Sequence, residues 1–514
     1  MLRTRAAVLG MARGPLVTLA TFLAACATLA SDGHSTATGN ATVTIDAARA
    51  TGTLQLQLGT QFTWPGTLDQ AVRTRSLFAE LDEPLIRILA TTNTCCSPGR
   101  PAPMIPAGRL PGSWDFSSLD SVVNDVTSAG ARSVLNIAYA PEWMWNCPGG
   151  TIRDPSFGEF ADYMARLVGY YNKGSFVAED GRTIANPAGA ANRITHWELW
   201  NEPDQPSSGC PPVGVSPAQY VTMWNATVPK MLAVDPTIKL VGPATANALT
   251  RHSPEYVPAL MERALRKPDV VSFHGYGGWA NSQSDQFLFK SRCCGLDAIV
   301  NGLARVRAWA PGIPVWITEL NVNSAWTSDP AERPYRAYGA VWGASAFRRL
   351  ALDGAGALFQ YQFAHPANPS LSLVGVVSGQ PLLAYWRDYY LARYFPPGSV
   401  VLASRSSLAG VETLAVRPPG SSNVHVLVVN GQLRSLSSVG GPGVPAMVQV
   451  SVANLSGLTQ ATVRQLDSAT PLASGPPAVQ LPVGDSVTVS FAGYGVALLD
   501  LLTSSPPVAG YGSD

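Results

Sequence analysis

Ile194-Thr195-His196-Trp197-Glu198-Leu199-Trp200-Asn201-Glu202-Pro203 is the stretch on which the fold turns. Its apolar residues, Ile194, Trp197, Leu199 and Trp200, read as a strand covered on both faces, and that strand runs directly into Glu202-Pro203. Comparable β-rich runs lie on either side, at Leu54–Trp64, Pro84–Ala90, Arg132–Ala140, Ile238–Gly242, Val270–His274, Val315–Leu320 and Ala355–Phe363. Helical patterns separate them, as at Phe157–Tyr171, Pro217–Val234, Leu296–Ala310 and Glu332–Leu352, with a last helix near Pro381–Tyr394. Eight strand–helix units in this order predict an α/β fold, a (β/α)8 TIM barrel. A doubly wound open sheet is the alternative, weakened because no Gly-x-Gly-x-x-Gly follows the first strand.

Beyond Pro396-Pro397-Gly398 the helical pattern stops. Short β-like runs at Val424–Asn430, Ala446–Val452, Ala461–Leu466, Val487–Phe491 and Val496–Leu501 predict a C-terminal β-sandwich over 397–504. The barrel is expected over 42–396, with Ala41–Ala47 a strand that pairs with the sandwich, and residues 505–514 as a disordered tail.

Composition narrows the function. Charged residues are 13% of 514 and the formal net charge is +1, which gives no electrostatic case for nucleic acid or an anionic membrane surface. The 47 Gly and 42 Pro suit a loop-rich extracytoplasmic protein, and the 13 Trp and 16 Tyr are compatible with stacking on sugars. Arg3, Arg5 and Arg13 precede an apolar run, Leu16–Ala25, that is too short to span a bilayer and reads as an export signal, with Met11 an alternative start. Leu23-Ala24-Ala25-Cys26 resembles a bacterial lipobox. That likeness implies lipidation of Cys26 as the sole membrane attachment, with residues 27–41 as a flexible tether; an ordinary cleaved signal peptide is the competing reading. In an exported chain the other six cysteines, Cys95, Cys96, Cys147, Cys210, Cys293 and Cys294, are disulfide candidates on the loops after the second, third, fourth and sixth strands. Cys147 with Cys210 is the most plausible pair, and the two doublets bridge each other or close vicinal rings. The cysteines lack Cys-x-x-Cys spacing and the six histidines lack His-x-His or His-x-x-x-His spacing, so neither a metal nor another cofactor is expected.

In a barrel of this type the chemistry gathers at the C-terminal strand ends. The fourth strand runs into Glu202 and the seventh, Val315-Trp316-Ile317-Thr318, into Glu319. Two carboxylates facing each other across a barrel mouth are what glycoside hydrolysis requires, one as proton donor and one as nucleophile. At these residues the sequence resembles the clan A glycoside hydrolases. Trp197-Glu198-Leu199-Trp200-Asn201-Glu202-Pro203 with Trp316-Ile317-Thr318-Glu319-Leu320-Asn321 is most similar to family 39, which includes β-xylosidases and α-L-iduronidases. The resemblance implies a retaining enzyme acting on an oligosaccharide or polysaccharide, with Glu202 as acid/base and Glu319 as nucleophile. A transglycosidase and a non-catalytic sugar-binding barrel are the alternatives.

The same resemblance implies that Asn201 binds the sugar 2-hydroxyl, that Arg87 and Tyr276 keep Glu319 ionised, and that His274 lines the site. Trp143, Trp279 and Trp326 are the expected sugar platforms, chosen from a set that also holds Trp64, Trp145 and Tyr361. Glu198, on the same face as Glu202 but deeper, is expected as a structural ion-pair partner. Glu142 either caps the following loop, the preferred reading, or binds substrate, and His196 is read as packed.

Overall fold

The computed structural model describes residues 39–504 except 63–65, 70, 72, 91–110, 147–149, 206–213, 250–252, 326 and 366–367. The expected export signal with Cys26, the tether as far as residue 38, the tail 505–514, Trp64, Trp326, Cys95, Cys96, Cys147 and Cys210 therefore lie outside the described residues.

The chain begins in a sheet and only then enters the barrel. β1 (Asn40–Thr53) buries Ala41, Val43, Ile45 and Ala47 on one face, a strict period of two. Eight parallel strands then close a barrel in sequence order: β2 (Gln57–Phe62), β3 (Leu85–Ala90), β4 (Arg132–Ile137), β5 (His196–Leu199), β6 (Lys239–Thr245), β7 (Val270–Tyr276), β8 (Val315–Asn321) and β9 (Ala357–Gln360). One long helix follows each strand: α1 (Thr74–Leu81), α2 (Ser117–Ser128), α3 (Gly158–Val168), α4 (Pro217–Val234), α5 (Ser253–Arg263), then α7 (Leu296–Trp309), α8 (Ala337–Leu352) and α9 (Leu383–Tyr394). Short α6 (Asp285–Lys290) is an addition after β7. α4 shows how locally such a helix is specified. Ser216 and Gln219 form a reciprocal capping box, and Pro217 occupies the first turn, where its missing N–H costs nothing.

The barrel interior is layered. Leu85, Val134, Val241, Val270, Trp316, Ala357 and Phe359 form an apolar floor, separate from the larger cluster between barrel and helices. Above it the buried residues turn polar, with Gln61, Arg87, Asn136, Glu198, Ser272 and Thr318. His196 belongs to the floor: its ring lies 5.2 Å from that of Trp316, and burial lowers its pKa to about 4. Trp224 and Trp342 are buried in the outer layer.

The remaining strands are β10 (Val400–Ser406), β11 (Val411–Arg417), β12 (Val424–Asn430), β13 (Ala446–Ala453), β14 (Leu458–Leu466), β15 (Val479–Leu481), β16 (Ser486–Phe491) and β17 (Gly495–Thr503). With β1 they make one nine-stranded, sandwich-like sheet ordered β15-β14-β17-β12-β11-β10-β1-β13-β16. Strands from both ends of that order, through Val463 and Val489, share one apolar cluster, so the sheet curls back over its own inner face. β10 and β11 had no sequence expectation, because Ser404, Arg405, Ser406 and Glu412 interrupt their apolar pattern. β17 is apolar on both faces for a reason. Ala497, Leu499 and Leu501 face the sheet's own cluster, while Val496 and Leu498 join the barrel's, which packs the two parts directly together.

Candidate active site

Register alone brings the polar layer together. Gln61 lies opposite Arg87, Asn136 opposite Glu198, and His274 opposite Glu319. Arg87, fully buried, uses every arm of its guanidinium: Nε donates to Glu198 Oε2 at 2.6 Å, Nη1 to Glu319 Oε1 at 2.7 Å and Gln61 Oε1 at 2.6 Å, and Nη2 to Asn201 Oδ1 at 2.9 Å. Glu198, also fully buried, accepts a second bond from Asn136 Nδ2 at 3.0 Å and lies a layer below the mouth. A lysine's single ammonium has no such planar fork to offer.

The two mouth carboxylates owe their aim to breaks in strand regularity. On β8, Ile317 and Leu320 both pack outward into the large cluster, with two residues between them instead of one. The pairing with β7 slips there, Phe273 facing Ile317 and His274 facing Glu319. Such a bulge turns Glu319 inward, where strict alternation would have pointed it out. On the segment after β5, Trp200 takes φ 68° and packs outward among Tyr139, Trp145 and Phe160, and Glu202 takes φ 46°. Left-handed backbone costs a non-glycine residue about 1–2 kcal/mol. The surroundings hold it in place: Trp200 N donates to Ile137 O at 3.0 Å, Asn136 Nδ2 to Trp200 O at 2.7 Å, and Glu202 N to Ala244 O at 2.8 Å.

β7 keeps regular alternation, so His274 and Tyr276 share the inner face. Tyr276 Oη donates to Glu319 Oε2 at 2.6 Å. His274 Nδ1 lies 2.9 Å from Glu202 Oε1 and 3.6 Å from Glu319 Oε2, while its Nε2 faces Arg87 Nη2 at 3.5 Å. An arginine N–H can only donate, so in the neutral ring the proton lies on Nδ1, directed at Glu202, and that same N–H is kept when the ring is charged. Burial alone would push the Glu319 carboxyl up, but the charges of His274 and Arg87 and the bonds from Tyr276 and Arg87 outweigh it and hold Glu319 below the usual range. For His274 burial works against the charged ring, and the charges of Glu319 and Glu202 prevail and raise its pKa. Burial and the Glu319 charge push the Tyr276 phenol well up, so it remains a donor.

Three neighbours of the site carry no sequence signal of their own. Gln205 donates from Nε2 to Glu202 Oε2 at 3.2 Å and from its backbone N to Glu202 O at 3.0 Å; the three-residue offset from Glu202 is the one clue in the chain. Buried Asp204 accepts from Ala246 N at 2.8 Å and Ser253 Oγ at 2.5 Å, tying the Glu202 loop to the next one. Burial pushes its carboxyl up to about 6. Tyr139 is bonded to Asn201, and its phenol is raised first by burial and then by the charge of Glu202.

Of the expected platforms, Trp279 is 53% exposed. Trp143 is half-buried against the core with Arg153 over its ring at 5.4 Å, which leaves less of it for a sugar than its position after a strand suggested. Tyr361 is buried, its ring 6.2 Å from that of Tyr276. The Cys293 and Cys294 sulfurs approach to 2.7 Å. Glu142 opens a single 3-10 turn, one of its carboxylate oxygens buried.

Glu202, His274 and Glu319 each present a ligand-type atom within 4.8 Å of the others, the one such cluster among the described residues. The Arg87 guanidinium already occupies Glu319 from 2.7 Å, and its fixed charge opposes a dication there. The cluster is instead suited to moving one proton and offering one ionised oxygen.

The sequence matches the family model described as Cellulase (glycosyl hydrolase family 5) over residues 79–351, more than half of the chain. No curated protein matches it. The structure is similar to a glucosidase from Croceicoccus marinus, with a TM-score of 0.63 and 17% identity over 91% of this chain and 100% of that one. It is similar to a GH39 β-xylosidase from Caulobacter crescentus, with a TM-score of 0.60 and 16% identity over 90% of this chain and 99% of that one. A GH39 enzyme from Xanthomonas axonopodis pv. citri gives a TM-score of 0.63 and 16% identity over 91% and 97%. At such identities the structural likeness speaks for the fold alone. The family 5 match and the family 39 neighbours both fall within the clan A likeness read from Trp200-Asn201-Glu202-Pro203 and Thr318-Glu319.

Proposed function

The chain belongs to the cellulase family (glycosyl hydrolase family 5) and is a glycoside hydrolase, and from that premise we propose that it cleaves O-glycosidic bonds with retention, by double displacement at Glu319. One observation carries the reading: a carboxylate oxygen of Glu202 and one of Glu319 lie within 4.8 Å of each other. Measured between whole carboxyl groups, the spacing is about 5–5.5 Å in retaining enzymes and about 6.5–9.5 Å in inverting ones, which keep a water between, and nearest oxygens this close favour the shorter spacing.

In the first step Glu202 gives its proton to the leaving oxygen as that oxygen's bond to the anomeric carbon breaks. Glu319 forms the new bond to the same carbon, giving a glycosyl-enzyme. In the second step Glu202, now ionised, takes a proton from water, whose oxygen attacks the anomeric carbon and releases the Glu319 carboxylate. Arg87 and Tyr276 keep Glu319 ionised and ready to attack. His274 and Gln205 orient the two oxygens of Glu202. Asn201, its Oδ1 committed to Arg87, turns its amide to the sugar 2-hydroxyl.

The substrate in this proposal is a β-linked glycan, and the glucosidase and β-xylosidase neighbours make glucose- and xylose-type linkages the first to screen. The N-terminal arginines and the Leu16–Ala25 run support export, with Cys26 as a lipid anchor. Incubation with an activated 2-deoxy-2-fluoro glycoside tests the mechanism. Mass spectrometry should find one sugar on the peptide containing Glu319; a label on another residue would overturn the assignment.

A further inference from the structure

Asp285, the first residue of α6, is a fully buried carboxylate outside the catalytic cluster. Every group facing its two oxygens is a donor. Oδ1 accepts from Gly440 N at 2.9 Å and Arg333 Nη1 at 3.3 Å; Oδ2 accepts from Gly441 N at 3.1 Å, Ser438 Oγ at 3.3 Å and Tyr494 Oη at 3.4 Å. Its own backbone N donates to Ser438 O at 2.8 Å. All of these partners except Arg333 belong to the sandwich-like sheet and its loops. Gly440 has φ 71°, and a Cβ there would lie 2.6 Å from that of Ala331, so the sheet's loop reaches the barrel only with glycine at this point.

Arg333 carries the contact into the barrel loops. Buried like Asp285, it donates to Asn281 O at 2.7 Å, Gln283 O at 2.5 Å and Asp329 Oδ2 at 2.7 Å. Gln283 in turn accepts from Trp279 N at 2.8 Å and Ala280 N at 3.0 Å, and Asn281 Nδ2 donates to Thr327 O at 3.0 Å. The loops after β7 and β8 are thus cross-tied to each other and bolted to the second sheet. At their outer edge, three residues beyond Tyr276, stands Trp279, with its ring 5.5 Å from that of Phe287 and its outer surface open.

We infer that the sandwich-like sheet acts as a splint: Asp285 and Arg333 are positioning residues that hold Trp279 ready to stack a sugar some distance along the chain from the cleaved bond, which makes extended oligosaccharides and polysaccharides the preferred substrates. A mobile indole would have to be ordered at each binding event, and a pinned one is ordered beforehand. The inference rests on the glycoside hydrolase reading but not on Glu319 being the nucleophile.

The test uses the full chain and two probes, an activated aryl glycoside and unmodified oligosaccharides of the same sugar in increasing length. Ser438→Ala/Tyr494→Phe removes two donors to Asp285 from the sheet side, away from the substrate. KM should rise severalfold for the longer oligosaccharides, with kcat and the aryl glycoside kinetics unchanged. Asp285→Asn, which turns an amide group toward donors only, should raise the same KM by about tenfold, the order of one stacking contact. Adding Asp285→Asn to Trp279→Ala should cost nothing further. A KM unaffected by chain length in Ser438→Ala/Tyr494→Phe, or losses for Asp285→Asn and Trp279→Ala that multiply in the double variant, overturns the splint. Either result with normal aryl glycoside turnover leaves the glycosidase reading standing. Absence of all glycoside turnover in the wild-type enzyme would sink that reading instead.

Discussion

Replacing Tyr276 with phenylalanine removes one oxygen from the site and leaves no cavity. The lost group is the hydroxyl that donates to Glu319 Oε2 at 2.6 Å, while Arg87 stays on Oε1 at 2.7 Å. A hydrogen bond to a charged acceptor contributes about 1.5–3 kcal/mol. At about 1.4 kcal/mol per pKa unit, its loss lifts the Glu319 pKa by roughly 1–2 units. As the proposed nucleophile, Glu319 must be ionised to attack, and in the folded protein its pKa is held below the ordinary value. Activity is therefore lost as pH falls through that depressed pKa, and Tyr276→Phe moves the loss to higher pH. The acid limb of kcat/KM, which reports the free enzyme, should shift upward by about 1–2 units on an activated aryl glycoside. The same sign holds for stability: the depressed Glu319 contributes above its unfolded pKa, and the variant gains less there. An acid limb that stays put in a folded Tyr276→Phe enzyme would refute the claim that Tyr276 holds Glu319 ionised.

Other perturbations read different parts of the site. Arg87→Lys cannot keep both Glu198 and Glu319 paired, so the unfolding free energy in urea should drop by about 3–5 kcal/mol; an unchanged midpoint would contradict the buried network. Burial raises Asp204 to about 6, so folding favours its protonated form, and the stability this contributes is lost as pH rises from its ordinary value toward 6. Asp204→Asn should flatten that part of the stability profile by roughly 3 kcal/mol, and parallel wild-type and variant curves would argue against it. Glu202→Ala should chiefly slow substrates with poor leaving groups, and azide should restore deglycosylation. Equal losses on all substrates without rescue would remove Glu202 from the acid/base role.

The sequence made the barrel legible because each of its strands combines an apolar run with a turn and a helix of ordinary length, signals that are local. Strand ends then selected Glu202 and Glu319 from 34 acidic residues, and the clan A likeness attached Arg87 and Tyr276 to Glu319. What stayed hidden depends on distant partners. The bulge that turns Glu319 inward exists only against β7, and the left-handed Trp200 only against the aromatic layer that receives it. Asp285 and Arg333 carry no local signal, since their meaning comes from Gly440 and Gly441 more than 100 residues away. Trp143 shows the converse: a place after a strand end suggested a platform, but the ring lies under Arg153.

Stereochemistry tests the central claim most directly. Hydrolysis followed by proton NMR from the first turnovers, before the product equilibrates, reads the anomer released. Double displacement through Glu319 predicts a first-formed sugar with the configuration of the bond that was cleaved. Release of the opposite anomer would mean that water attacks directly, and the close pairing of Glu202 and Glu319 would then need another explanation.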